Sequence, residues 1–304
     1  MPIDNAQVSA TQPQVQTPQT LQPAAIQPQP LSSAPAPYTP LAPNGQLPAN
    51  LVNKGFVLPS TTLQPRIIMD MSGEIKSGKT RIAFTSTSPV VYFAFDPKGI
   101  VGVVEEFARA GKPILVKPMP FPLVIETDTY QRMYAELLEA INEISTWERG
   151  TIVIDTGAAL ELLVRLKLYG KAKGVGSYKY EDRNAEMEAI FNLLSATKLN
   201  IIYLHNMKKV WAKYTDSKGE ERSSPTGEVE PDRFDMVGER VQINAATYRE
   251  RLEQGRLGNF HLYITNCRLK SDLGGYDYTV PMGDMMTIPT LMSWIFQREP
   301  GEFV

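Results

Sequence analysis

Residues 73–80 read GEIKSGKT, directly after the apolar run of residues 66–71 and Ser72. Every fixed position of the pattern G-x-x-x-x-G-K-[ST] is filled. The flanking pattern predicts a buried strand entering the loop and a helix over residues 79–86 leaving it. Gly73 and Gly78 allow a tight turn and bring backbone amides close to phosphate oxygens. Glu74, Ile75, Lys76 and Ser77 complete the expected phosphate cradle, with Lys76 read as facing solvent. Lys79 is expected to reach the β- and γ-phosphates, and the Thr80 hydroxyl to hold a metal ion. The ligand these residues predict is a nucleoside triphosphate, taken as ATP with Mg²⁺.

Hydrolysis needs more than a phosphate cradle. It needs an acid near Mg²⁺ and a group that orients water. The run TIVID ends on Asp155, about 75 residues after Thr80, which makes Asp155 the expected Mg²⁺ carboxylate. A helix is expected to start near Gly157, so Asp155 is also placed to cap it. The run VVYFAF ends on Asp96, placed to orient or deprotonate water; the alternative is a turn former before Pro97 and Gly99. The run IIYL ends on His205 and Asn206, read as polar groups that could sense the γ-phosphate; for His205 a buried structural role is the alternative.

These apolar runs alternate with helical patterns. Strands are predicted at residues 66–71, 89–95, 113–116, 151–154 and 200–204. Helices are predicted at 79–86, 100–110, 127–144 and 182–196. In 127–144, Tyr130, Met133, Leu137, Ile141 and Ile144 fall at helical spacing. Strands this rich in Ile, Val and Tyr, each followed by a helix, predict an α/β fold with a mostly parallel sheet covered on both faces. Beyond His205 the rhythm breaks. Residues 208–235 are polar, with a Ser-Ser-Pro-Thr-Gly turn signal. Residues 241–247, 260–269 and 276–281 are expected to extend the sheet as antiparallel strands. Residues 287–296 suit either a closing helix or a strand.

The bulk composition narrows the chemistry. The chain has 304 residues, a net charge of −2, one cysteine and two histidines. Cys267 alone permits no internal disulfide and no Cys-based zinc site. The net charge gives no overall bias toward nucleic acid, so a basic surface has to be local. No apolar run approaches a membrane span, and no secretory signal is visible at the start, so a soluble cytoplasmic protein is expected. Residues 1–62 differ from the rest. They hold half of the 24 prolines, and Asp4 and Lys54 are their only charged side chains. Such a segment buries too little apolar area to offset its chain entropy. It is expected to be a disordered tether or a docking segment, with Leu51, Val52, Phe56 and Val57 as its apolar spot. Residues 63–304 form the expected folded domain.

The loop GEIKSGKT, the acid closing the second strand, VID on the third central strand and the polar pair after IIYL together resemble the RecA-like P-loop ATPases. The match is nearest to the phage-encoded AAA branch linked to single-strand annealing and recombination, over about residues 63–282. The resemblance implies an oligomeric ATPase, a ring or a filament, acting on single-stranded DNA in recombination or replication, in the bacterial cytoplasm if phage-encoded. In that family the second-strand acid is a glutamate; Asp96 is one methylene shorter. Asn206 falls on the family's polar sensor. Arg268, in NCRLK, resembles the late-strand cation that reaches a neighbouring subunit's γ-phosphate, with Lys270 second. The family's DNA-facing loops correspond to residues 169–183, with Lys171, Lys173, Lys179, Arg183, Tyr178 and Tyr180, and to residues 208–233, with Lys208, Lys209, Trp211 and Lys213. The resemblance also makes the tail a docking segment for a single-strand-binding protein or another replication partner. Two other readings stay open at this point. One is a small-molecule or nucleotide kinase, for which Arg233, Arg240, Arg249, Arg251 and Arg256 would supply a lid. The other is a nucleotide-gated interaction module that barely hydrolyses.

Overall fold

The computed structural model of the chain describes residues 65–96, 100–122, 127–170, 180–215, 220–252, 256–281 and 283–304. The expectations for the tail, for Pro97 and Gly99, and for Lys171, Lys173, Tyr178 and Lys179 lie outside these residues. In chain order the strands are β1 (Ile68–Gly73), β2 (Val90–Ala94), β3 (Ile114–Pro118), β4 (Thr151–Asp155), β5 (Asn200–Thr215), β6 (Glu221–Pro231), β7 (Ile243–Arg251), β8 (Leu257–Cys267) and β9 (Asp277–Val280). The helices are α1 (Lys79–Phe84), α2 (Val101–Arg109), α3 (Thr127–Ile144), α4 (Gly157–Tyr169), α5 (Tyr180–Ala196), α6 (Asp235–Arg240) and α7 (Thr287–Phe296). Among the described residues no helix is long and apolar enough to cross a membrane.

The strands lie in the order β3-β2-β4-β5-β1-β7-β8-β9, with β6 paired to β5 alone. Pairing is parallel from β3 through β7 and antiparallel at β7–β8 and β8–β9. This is the α/β fold with a mostly parallel sheet expected from the sequence, with antiparallel strands at its C-terminal end. Alternation along each strand splits the core in two. Met69, Met71, Val90, Tyr92, Val153, Ile202 and Leu204 face α1, α2 and α7. Ile68, Val91, Phe93, Ile152, Ile154, Ile201 and Tyr203 face α3, α4, α5 and α6. Strands buried on both faces read as continuous apolar runs, which is why β1, β2, β4 and the first part of β5 were visible in the sequence.

Three features differ from expectation, and one left open is decided. β5 does not stop at Leu204 but runs to Thr215, and β6 returns antiparallel to it, so the segment expected to be irregular is a long hairpin. Both of its faces are largely exposed, and the apolar period that marks a half-buried strand is therefore absent. Pro225 and Pro231 fit because β6 is an edge strand with one partner. β7 pairs with β1 in parallel rather than antiparallel. α1 ends at Phe84, short of Ser86: the Thr85 and Ser86 hydroxyls donate to the Ile82 and Ala83 carbonyls and compete with the helix. Residues 287–296, undecided by pattern, are a helix.

Candidate nucleotide site

The loop after β1 is shaped by its neighbours as much as by its own glycines. Gly78 has φ +94°, in the left-handed region, and a Cβ there would lie 2.6 Å from the Phe260 ring of β8. Gly73 has no such angle. A Cβ on it would collide with Thr247 of β7 and lie 2.6 Å from Ser77 Oγ. Ser77 and Thr247 hydroxyls sit 2.6 Å apart, and Thr247 Oγ1 donates to the Ser72 carbonyl at 3.3 Å. β7 therefore buttresses the loop from the side. Glu74, Ile75 and Lys76 are exposed, as read for Lys76, while Ser77 and Lys79 are buried.

Lys79 Nζ donates to the carbonyls of Gly73 and Glu74, both at 2.8 Å. Burial lowers its pKa, and the charges of Asp155 and Glu74 oppose that shift. One residue on, Thr80 Oγ1 donates to Asp155 Oδ2 at 3.2 Å. The same carboxylate oxygen accepts from Tyr92 Oη at 2.5 Å. Burial pushes the Asp155 pKa up; the Tyr92 and Thr80 hydrogen bonds and the Lys79 charge pull it down, and the Asp96 charge pushes it up again. Burial, with the Asp155 carboxylate beside it, pushes the Tyr92 phenol up, so the hydroxyl is a donor at any ordinary pH. Asp96 follows β2, where the Phe95 amide donates to the Asp155 carbonyl at 3.1 Å, and its charge is felt by both Asp155 and Tyr92.

The structure thus brings together Gly73 to Thr80, Asp155 and Asp96 at one end of the sheet. Asn206 joins them: it pairs in register with Gly73 and, by strand alternation, shares the face of Ile202 and Leu204. His205 does not. It is fully buried and turned to the opposite face, with Nε2 3.3 Å from Asp70 and Nδ1 3.2 Å from the Asp232 carbonyl. Its reading as a phosphate sensor is corrected to a structural one, because adjacent residues of a strand point to opposite sides. Arg268 lies at the other end of the sheet from its own loop: its amide donates to the Gln242 carbonyl, and Gln242 in turn contacts Ile68 at the start of β1. The Lys270 ammonium donates to the Trp294 carbonyl of α7. Arg183, expected to face DNA, pairs with Glu161 at 2.9 Å and stacks over Tyr180.

Tyr92 and Thr247, which motif reading passed over, complete the surroundings, with Arg249 and Arg251 of the conceivable kinase lid beside them. Tyr92 orients the carboxylate, and Thr247 braces the loop. Arg249 stacks on Phe260 with its guanidinium 4.7 Å from the ring centroid, and Arg251 lies 3.9 Å from Glu74. Strand alternation puts Tyr92 on the same face of β2 as Val90 and Ala94, but nothing in the sequence pairs it with Asp155. Arg233 and Arg240, two arginines of a conceivable kinase lid, are held by Asp70 and Glu188.

The donor set fits a triphosphate with Mg²⁺. Lys79 supplies a charge, and Thr80 and Asp155 supply two hard oxygens side by side. Among the described residues no group of three His, Cys, Asp or Glu could hold a metal alone, so the phosphates would have to share the coordination.

No protein-family model matches the chain, and no curated protein matches its sequence. Among solved structures it is similar to the flagellar accessory protein FlaH from Methanocaldococcus jannaschii, at 13% identity and a TM-score of 0.36. That match covers 70% of this chain and 84% of FlaH. The reading of the site stands on the geometry of Lys79, Thr80 and Asp155 in this chain.

Proposed function

We propose that the chain is a Mg²⁺-dependent ATPase of RecA-like type that acts on single-stranded DNA. The observation that carries the nucleotide part is the 3.2 Å contact between Thr80 and Asp155 at the head of the Lys79 loop. Bound there, Mg²⁺ would neutralise charge on the β- and γ-phosphates. Lys79 would exchange its loop carbonyls for phosphate oxygens. Tyr92 keeps Asp155 aimed at Thr80 by donating to the oxygen they share. Asp96 is the acid placed to accept a proton from water, and Asn206 the polar group placed beside the loop.

The DNA part is supported by the β5–β6 hairpin. Lys209, Trp211 and Lys213 occupy alternate positions along β5, with a register irregularity against β6 between Lys209 and Trp211, and Trp211 is 58% exposed. Cations at this spacing suit a phosphate backbone, and an aromatic between them suits base stacking. Arg268, exposed at the far end of β8, is the cation offered to a neighbouring copy in an oligomer. Recombination or replication is the setting this reading implies.

The test is ATP turnover by the full chain with and without single-stranded DNA, at low and raised salt. Turnover should need Mg²⁺, rise with DNA and lose the DNA effect as salt increases. Turnover indifferent to DNA at low salt would leave an ATPase without this partner; no turnover and no DNA binding would end the proposal.

A further inference from the structure

The strand that feeds the phosphate loop carries a buried acid. Asp70, in the middle of β1 between β5 and β7, is 1% exposed. A carboxylate there costs several kcal/mol unless it is matched. Arg233 matches it, donating to Asp70 Oδ2, and reaches Asn244 Oδ1 of β7 at 3.2 Å. α6 closes over the guanidinium at Gly238, where a Cβ would strike it. On the other side, His205 fills the space left by Gly157 of α4, where a Cβ would strike the imidazole.

Arg233 and Asp232 follow β6 directly and form the root of the β5–β6 hairpin. The Asp232 amide donates to the Asn206 carbonyl at 2.7 Å, and the Asp232 carbonyl faces His205 Nδ1. The root of the arm therefore closes on the residue that pairs with Gly73 and on the strand that ends in the loop. One contact in this network is unmade. Both ring nitrogens of His205 face acceptors, yet a neutral ring carries one N–H. Asp70 Oδ1 and His205 Nε2 are buried without a hydrogen bond. Burial holds the His205 pKa down at about 3, so the ring does not take the second proton. A buried pair left without its hydrogen bond weakens the packing around it and leaves Arg233 as the contact that ties this network to Asp70.

We propose that Arg233 is a positioning residue, a latch holding the root of the β5–β6 arm to β1, and that through it arm position and nucleotide occupancy are coupled. The coupling rests on the nucleotide reading above; the latch rests on Asp70, His205 and Arg233 alone. Coupling of this kind is reciprocal: if nucleotide shifts the arm, a ligand on the arm shifts nucleotide affinity by the same factor.

The experiment is hydrogen exchange on the full chain, comparing wild type, Arg233→Met, Arg233→Lys and the charge-free pair Asp70→Asn/Arg233→Met. The pair guards against unfolding caused by an unmatched Asp70. Without nucleotide, exchange in residues 207–215 and 221–231 should quicken roughly tenfold in Arg233→Met, or in the pair where that variant unfolds, while β4 is unchanged and Arg233→Lys restores part of the protection. Unchanged arm exchange would overturn the latch. With Mg²⁺ and a non-hydrolysable ATP analogue, wild-type arm exchange should shift. The variants should lose that shift while their affinity for the analogue changes less than about threefold. Wild type that binds the analogue with no response in the arm overturns the coupling. Wild type that does not bind it overturns the nucleotide reading and the coupling with it, and leaves the latch to be judged on the nucleotide-free exchange.

Discussion

Gly73 has no unusual backbone angle, yet β7 leaves it no room for a side chain; Gly78 combines a left-handed angle with the Phe260 ring, which a Cβ would meet at 2.6 Å. Gly78→Ala should therefore destabilise the fold by roughly 1–3 kcal/mol and abolish triphosphate binding, read by thermal denaturation and calorimetry on the same sample. His205 supplies a pH test. Its folded pKa, about 3, lies below the ordinary 6.5, so protonation favours unfolding. The stability it contributes is whole above about pH 6.5 and is lost as pH falls toward 3. Asp70 works in the opposite sense. Burial raises it from 3.8 to about 6, so its contribution is whole below 3.8 and lost as pH rises through about 6. The His205 ring should show no protonation step between pH 5 and 8 by NMR; a midpoint near 6.5 would contradict its burial. At this scale the phosphate loop was legible because its spacing is fixed over eight residues. Tyr92 and Thr247 were not, because the atoms they meet, on Asp155 and Ser77, are 63 and 170 residues away in sequence.

The β5–β6 hairpin decides what the elements can do. Its strands owe their form to mutual pairing, since Trp211, Tyr214 and Val229 are all exposed. Lys208 is held by Glu230 and Asp232 at 3.6 and 3.7 Å, so the tests of the arm fall on Trp211 and Lys209. Trp211→Ala should weaken single-stranded DNA binding by about 1–3 kcal/mol with little change in salt dependence. Lys209→Ala should lower the salt slope by about 0.7. Fluorescence anisotropy across a salt series separates the two, and equal slopes in both variants would count against the arm as the DNA surface. The buried strands could be read because two-sided burial writes a continuous apolar run. The arm could not, because a strand exposed on both faces and carrying prolines has the composition of a loop. The parallel pairing of β7 was hidden for another reason: its partner β1 lies more than 170 residues earlier, and local pattern carries no sign of direction.

Across the whole molecule, one sheet with a core on each face presents the loop, Asp155 and Asn206 at one end and Arg268 at the other. With a net charge of −2, attraction for DNA would have to come from a local surface such as the arm. The layered architecture followed from the alternation of apolar runs and helical patterns. The Asp70–Arg233–His205 network did not, since nothing in a linear sequence matches a mid-strand acid with a distant arginine. That Gly73 to Thr80 and Asp155 hold a triphosphate with Mg²⁺ is checked by calorimetric titration of ATP into the full chain, with and without Mg²⁺ and against Lys79→Ala. Saturable binding that tightens with Mg²⁺ and weakens at least about a hundredfold in Lys79→Ala is expected, since a desolvated charge-assisted contact is lost. Binding that is absent at millimolar ATP, or that is indifferent to Lys79→Ala, would contradict it.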